Sequence, residues 1–234
     1  MIEELSNAIK ETQNIVFFSG AGMSTDSGIP DFRSSTGLYK NNKHAEEILS
    51  HTFFMENPKE FYEFYREKMI FEDAKPNYGH TFIANLQATK NVTVVTQNID
   101  GLHQLAGSKN VYELHGSIHR NYCMKCHKFY SLEDILNKDL VPYCNCGGLI
   151  KPDVVLYEEA LDSDTLNGAI NAISNAGLMV ILGTSLNVYP AASLIRYFRG
   201  KTLAIINKSA TMGDEYCDIV IHDSISETFK KINL

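Results

Sequence analysis

The chain has 234 residues, 44% of them hydrophobic and 21% charged, with a formal net charge of -7 at pH 7. It can bury a substantial core as one domain, or as one large domain carrying a small one, and its negative balance argues against a grip on nucleic acid by clustered Lys and Arg. No apolar run approaches the roughly 20 residues of a membrane span, and the start Met1-Ile2-Glu3-Glu4-Leu5 is acidic where a secretion signal is basic and then apolar, so a cytoplasmic location is expected.

Ile2, Leu5, Ala8 and Ile9 recur at helical spacing and predict a first helix ending near Asn14. Ile15 to Phe18 follows, too short for a helix and rich in strand formers, and Ser19-Gly20-Ala21-Gly22 stops it. Gly20 and Gly22 would allow a tight turn and close approach to a phosphate, while N–H groups of the segment from about Ser24 could face its charge. By itself the signal is equivocal. Thr25 stands where the G-x-G-x-x-G fingerprint has its third glycine, and a glycine turn joining a core strand to a helix would read the same. Pro30, Asp31, Phe32 and Arg33 tip the balance, because a rigid turn, an acid, a ring and a phosphate-capable guanidinium fall within one short run. Ser34 to Lys43 reads as a polar loop. The second strand ending in an acid, which a hydride-transferring dinucleotide enzyme uses to hold its ribose, does not follow.

Phe61, Phe64, Tyr65 and Met69 form an aromatic helical stripe between Pro58 and Phe71, and Ile83, Ala84 and Leu86 continue in a helix after Pro76. The stripe reads either as core of a helical insertion or as a wall of a ligand pocket. Val92 to Thr96 is a second buried strand, and Gln97-Asn98-Ile99-Asp100-Gly101-Leu102-His103 lies at its C-terminal end, where parallel sheets bind ligands. Further strands are expected at Val154 to Tyr157, Leu178 to Leu182 before Gly183-Thr184-Ser185, Thr202 to Ile206 before Asn207, and Asp218 to Ile221. Helical patterns separate them: Leu166, Ala169, Ile170 and Ile173, then Ala191 to Phe198, and a last helix opened by the capping-box pattern Ser224-x-x-Glu227. This alternation predicts an α/β fold built on a doubly wound parallel sheet.

Cys123-x-x-Cys126 and Cys144-x-Cys146, the latter followed by Gly147-Gly148, are two chelating pairs that can close a tetrahedral thiolate zinc site. With no open position such a zinc is structural, and His119 and His127 stand near enough to substitute for a thiolate. The odd total of five cysteines argues against a secretory disulfide framework. Cys217, remote from the cluster, reads as a small buried apolar residue.

Gly20 to Arg33, Thr96 to His103, Glu113-Leu114-His115-Gly116, the cysteine cluster and Leu182-Gly183-Thr184-Ser185-Leu186 together resemble, in order, the signature set of the sirtuins, the NAD-dependent protein deacylases, of the bacterial single-domain type. The resemblance implies a Rossmann-like large part over about 1–34, 77–118 and 150–234. A small part would hold a helical insertion at about 35–76 and a zinc module at 119–149. The implied reaction removes an acyl group, most simply acetyl, from lysine and consumes NAD as a co-substrate, leaving nicotinamide and O-acetyl-ADP-ribose. His115 matches the base that deprotonates a ribose hydroxyl, a task suited to imidazole near neutral pH, and Asn98, near the ribose, shares the catalytic assignment.

Residue by residue, the resemblance carries cofactor binding to Gly20, Ala21, Gly22, Thr25, Asp31, Phe32 and Arg33 in the first loop, with Ala21, Thr25 and Arg33 around the pyrophosphate and Phe32 over the nicotinamide side. Gln97 falls near the ribose, Ile99 and Asp100 at the nicotinamide pocket, and Gly183, Thr184, Ser185, Asn207 and Ile225 toward the adenosine end. An acyl-lysine peptide would lie extended between Val154, Val155 and Tyr157 on one side and Asn187 and Val188 on the other. The zinc ligands would be Cys123, Cys126, Cys144 and Cys146.

Two departures from the family pattern stand out. Tyr157-Glu158-Glu159 replaces the usual F-G-E, which puts Glu158 where a glycine is expected. Tyr65 and Lys68 replace the Tyr and Arg that desuccinylating relatives offer from this helix. Alternative activities are ADP-ribose transfer to protein and deacylation of longer or acidic acyl groups. A reading of another class is a non-enzymatic NAD- or zinc-dependent binding module.

Overall fold

The computed structural model describes residues 1–31 and 44–234. Six strands form a parallel sheet: β1 (Asn14–Ser19), β2 (Asn91–Thr96), β3 (Val111–Glu113), β7 (Leu178–Leu182), β8 (Thr202–Ile206) and β9 (Ile219–Ile221), in the order β3-β2-β1-β7-β8-β9. Three shorter strands, β4 (Gly116–Cys123), β5 (Phe129–Tyr130) and β6 (Ile150–Val154), make a separate antiparallel sheet in the order β5-β4-β6. The α/β class and the doubly wound parallel sheet are therefore as the sequence predicts.

β1 is central because both of its faces are apolar. Ile15 and Phe17 point to one side with Val92, Val94, Leu178, Val180 and Leu182, against α1 (Ile2–Glu11) and two later helices. Val16 and Phe18 point to the other side, with Val95, Met179, Ile181 and Ile205. Successive side chains of a strand alternate between faces, so a sheet covered on both sides reads as uninterrupted apolar runs. The last helix contributes Phe229, edge-on to Phe17 and stacked on Phe82 with centroids 4.4 Å apart.

The aromatics of the stripe, Phe61, Phe64 and Tyr65, are core, while Met69 at its end lines a cavity. In the helix Pro58–Lys68, Phe61, Tyr62 and Tyr65 pack with Phe54, and Phe61 and Tyr65 stack at 5.6 Å. The Tyr62 hydroxyl donates to the Ile150 carbonyl, and Arg66 Nη2 donates at 2.8 Å to the carbonyls of both Ile135 and Asp139, tying this helix to the antiparallel sheet and its loops.

Several boundaries differ from expectation. The first helix ends at Glu11, because Thr12 is already extended and leads directly into β1. The strand expected at Val154 to Tyr157 is instead β6, and it pairs antiparallel with β4. Past Val154 the chain makes only an isolated bridge at Tyr157, with Ser50. Pro152 fits there because β6 is an edge strand. Ala191 to Tyr197 is a 3-10 helix. At Ser224 only half of the expected capping box forms: its hydroxyl accepts from Glu227 N, while the Glu227 carboxylate binds Lys230. Among the described residues no helix is long and apolar enough to cross a membrane.

Candidate active site

Ser19 is in register with Thr96 on one side and Leu182 on the other, so the loops leaving β1, β2 and β7 open together. The strand order reverses between β1 and β7, the position at which doubly wound sheets bind ligands. A cavity of about 900 Å³ lies there. The first loop lines it with Gly20, Ala21, Gly22, Thr25 and Asp31, and the loop after β2 with Gln97, Asn98, Ile99 and Asp100. His115 follows β3, and Val154, Val155 and Tyr157 come from β6 and beyond. Gly183, Thr184, Ser185, Asn187 and Val188 follow β7, Asn207 follows β8, and Ile225 opens the last helix. Phe32 and Arg33, like the loop expected from Ser34 to Lys43, lie outside the described residues.

The glycines of the first loop answer first to the protein itself. Gly20 N–H donates to the Leu182 carbonyl at 2.9 Å and Gly22 N–H to the Gly183 carbonyl at 2.8 Å. A Cβ on Gly22 would stand 2.6 Å from Gly183 Cα, and one on Gly20 would stand 2.7 Å from Thr184 Cβ. Close contact between two loops therefore demands these glycines before any ligand is considered. The helical segment begins at Ala21 as a 3-10 helix (Ala21–Ser27), earlier than the expected Ser24, and Gly22 and Met23 N–H are already bonded to Gly183 and Gly20 carbonyls. Thr25, in the third glycine's place, closes the turn by donating its hydroxyl to the Gly22 carbonyl at 3.0 Å.

At the centre Asn98, Ser24 and Asp100 form one network. Asn98 Nδ2 donates to Ser24 Oγ at 3.1 Å, and Ser24 Oγ–H donates to Asp100 Oδ2 at 2.6 Å. Asp100 Oδ1 accepts from Leu102 N at 2.9 Å. Burial pushes the Asp100 carboxyl above its ordinary value of 3.8, against the lowering effect of those two bonds. The role of the Ser24 hydroxyl escapes the sequence reading, which uses this residue only as the start of a segment offering N–H groups. The Asn98 backbone rests on a buried polar bed, its N–H donating to Thr96 Oγ1 at 3.0 Å, with Ser19 Oγ bonded in turn to Thr96 and to His103 Nε2.

His115 Nδ1 lies 2.9 Å from the Gln97 carbonyl, which can only accept, so in the neutral ring Nδ1 carries the proton and Nε2 keeps its lone pair. Burial holds the ring below the ordinary 6.5, partly offset by the bond to Gln97. Gln97 Nε2 donates to Thr184 Oγ1 at 3.1 Å, and Leu186 N also donates to that oxygen, so Thr184 shapes its own turn while it lines the cavity.

A charged staple flanks His115. Arg120 donates from Nη1 to Glu113 Oε2 at 2.6 Å and from Nε to Asp153 Oδ2 at 2.7 Å, joining β3, β4 and β6. The Glu113 side chain is only 9% exposed. Arg120→Ala would leave that carboxylate buried and unpaired, so a loss of about 1–3 kcal/mol in urea unfolding is expected. An unchanged midpoint would show the staple to be incidental.

The sulfurs of Cys123, Cys126, Cys144 and Cys146 all lie within 4.8 Å of one another, with Cys123–Cys146 at 3.4 Å and Cys126–Cys144 at 3.6 Å. Zinc–sulfur bonds of about 2.3 Å in a tetrahedron set sulfurs about 3.8 Å apart, so the cluster fits the ion. Lys125 and Cys126 N–H point at Cys123 Sγ, and a Cβ on Gly148 would stand 2.6 Å from that sulfur. The short C-x-C spacing thus closes the site, and neither His119 nor His127 joins it among the described residues. His119 Nε2 instead donates to the Asp100 carbonyl at 3.0 Å. Cys217 is half-buried, and its thiol donates to the Gly213 carbonyl at 3.3 Å.

Of the pair expected near an acidic acyl group, Tyr65 is packed in the helical core and is not among the lining residues. Lys68 lines the cavity and pairs with Glu67 at 2.6 Å.

Residues 20–190 match the sequence pattern of the Sir2 family. The chain is 56% identical to an NAD-dependent protein deacetylase of Clostridium acetobutylicum, over 99% of this chain and 97% of the relative. Among solved structures it resembles a Sir2 histidine-to-alanine variant with deacetylated p53 peptide and 3'-O-acetyl-ADP-ribose, at TM-score 0.90 and 40% identity, covering 98% of this chain and 96% of that one. It also resembles a Sir2 complex with p53 peptide and NAD+, at TM-score 0.88 and 40% identity, covering 99% and 97%.

Proposed function

The chain belongs to the Sir2 family, and on that premise we propose that it is an NAD-dependent protein deacetylase that turns acetyl-lysine, NAD and water into lysine, nicotinamide and O-acetyl-ADP-ribose. The observation that carries the reading is His115, held at the cavity with its Nδ1 proton committed to the Gln97 carbonyl and Nε2 left as a base. NAD supplies the ribose carbon from which nicotinamide departs as the acetyl oxygen attacks it. His115 Nε2 then takes the proton of a ribose hydroxyl, freeing that oxygen to bond the acyl carbon; the acyl carbon–nitrogen bond breaks as the departing lysine amine takes up a proton, and water adds at the acyl carbon to leave the acetyl ester and a ribose hydroxyl.

Other roles follow from position. Asn98, fixed by Ser24, faces the ribose beside Gln97. Asp100 has further lone pairs with which to accept from the nicotinamide carboxamide next to Ile99. Gly20, Ala21, Gly22, Thr25 and Asp31, with Phe32 and Arg33, hold the pyrophosphate and nicotinamide side. Gly183, Thr184, Ser185, Asn207 and Ile225 hold the adenosine end. The acetyl-lysine peptide lies between Val154, Val155 and Tyr157 and the facing Asn187 and Val188. Among the described residues the Val155 carbonyl and both Asn187 backbone groups make no hydrogen bond and can pair with an extended strand. Cys123, Cys126, Cys144 and Cys146 hold a zinc whose work is structural. The division into a large part at about 1–34, 77–118 and 150–234 and a small part at 35–76 and 119–149, the cytoplasmic location and the lack of nucleic-acid or membrane partners belong to the same proposal.

Mass spectrometry of one mixture of protein, NAD and acetyl-lysine peptide tests this. The expected products are free-lysine peptide, nicotinamide and O-acetyl-ADP-ribose in equal amounts. Protein carrying ADP-ribose beside a peptide still acetylated would make the chain a transferase. No nicotinamide release at all would make it a binding module.

A further inference from the structure

Glu158 holds a backbone conformation that suits glycine, with φ +76°. A residue with a Cβ is strained in that region and persists there only where local bonds hold it. Here they do. Glu158 Oε2 accepts from Thr52 N at 2.9 Å and from Thr52 Oγ1 at 2.7 Å, and the same segment is pinned where Tyr157 N donates to the Leu49 carbonyl and His51 N to the Tyr157 carbonyl, both at 3.0 Å. The side chain is thus fixed at the cavity rim while remaining exposed to solvent.

Its neighbour Glu159 is built differently. Glu159 is matched by Lys151 at 3.0 Å and His51 at 2.8 Å, so its charge is neutralised locally. Glu158 makes no ion pair among the described residues. Its hydrogen bonds from Thr52 hold the carboxyl below the ordinary 4.5, which keeps it ionised at neutral pH. The backbone adds a second, independent observation. Val155, Leu156, Tyr157 and Glu159 all commit their N–H groups within the protein, whereas among the described residues neither the N–H nor the C=O of Glu158 is bonded. An extended peptide along this edge of the cavity has the free backbone groups of Glu158 to pair with, as well as the Val155 carbonyl, and its side chains on either side of the acetyl-lysine then pass close to a carboxylate that makes no ion pair among the described residues and feels only the His51 imidazole.

We infer that Glu158 is a specificity-determining residue, selecting acetyl-lysine peptides with lysine or arginine beside the modified position and disfavouring acidic ones. The inference rests on the deacetylase reading and deepens it by naming the substrate class. A solvent-exposed charge at a rim gives modest, salt-sensitive discrimination.

Three acetyl-lysine peptides differing only in flanking Lys, Gln or Glu provide the test, with kcat/KM measured at low and high salt for the native chain, Glu158→Gln and Glu158→Gly. Gln keeps an acceptor for Thr52 and removes the charge, while Gly suits the backbone angle and removes the side chain. The native chain is expected to favour the Lys over the Glu peptide by about tenfold at low salt, shrinking toward about twofold at high salt. Both variants should bring the low-salt ratio down to about twofold as well. A native chain indifferent to flanking charge, or a Glu158→Gln chain that keeps the tenfold ratio, would overturn the inference. Failure to deacetylate any of the peptides would instead overturn the deacetylase reading.

Discussion

A His115→Ala chain is expected to lose acetyl transfer by about 10²–10⁴ in kcat/KM while still exchanging nicotinamide with NAD in the presence of acetyl-lysine peptide. In the proposed reaction, departure of nicotinamide needs the ribose and nicotinamide side of the cavity, which we assign to Asn98, Ser24 and Asp100, and among the described residues His115 shares no hydrogen bond with that network. In the proposed sequence, deprotonation of the ribose hydroxyl comes afterwards and needs Nε2. A side chain that only propped up the cavity would take both steps down together, so persistence of exchange separates base from scaffold. The pH dependence supplies a second check. The base works when neutral, and the neutral fraction rises with pH through the pKa. Burial sets that pKa below 6.5, so the acid limb of kcat/KM should fall below pH 6.5 in the native chain. An acid limb clearly above 6.5, or a variant retaining more than about a tenth of native transfer, would remove His115 from the role.

How much of this was legible in the sequence depends on where the determining contacts lie along the chain. β1 and β7 could be read directly, because burial on both faces writes itself as a continuous apolar run, and the ligand-facing loops follow from those strands by the parallel-sheet rule. His115 and Asp100 were reached through motif resemblance, since nothing in the spacing alone puts an imidazole beside the Gln97 carbonyl. β3 is three residues long and β5 only two, too short for any periodicity to register. β6 was displaced because its partner, β4, was itself invisible. The Arg120 staple joins side chains from three strands, two of them in a different sheet from the third, and such contacts leave no local pattern. The zinc cluster was the opposite case, since both chelating pairs are local and only their union is long-range. For Gly20 and Gly22 the ligand is a secondary reason to be glycine: the first claim on them is the backbone of Gly183 and the side chain of Thr184.

Stripping the metal should have the largest effect on the fold itself. The core under the cysteine knuckles consists of Cys123, Tyr130, Ile135, Cys144 and Ile150, with Leu132 against it. So few apolar side chains cannot offset the entropy of ordering the loops that join them, at about 1–2 kcal/mol per residue. Four thiolate bonds to zinc can, since structural sites of this kind contribute on the order of 10 kcal/mol. The consequences reach the cavity through named contacts. Tyr62 leans on the Ile150 carbonyl, Arg66 on Ile135 and Asp139, and Val155 N donates to the His115 carbonyl at 3.0 Å just beyond β6. Prolonged treatment with a strong chelator, or Cys144→Ser, is expected to bring zinc from about one per chain to near zero, lower the thermal midpoint by roughly 10 °C or more, and abolish deacetylation. Because the cysteines are reduced and unpaired by disulfides, added zinc should restore all three in the chelated native chain, and magnesium should restore none. A zinc-free chain that melts and turns over like the native one would mean that the thiolate cluster holds nothing the fold requires.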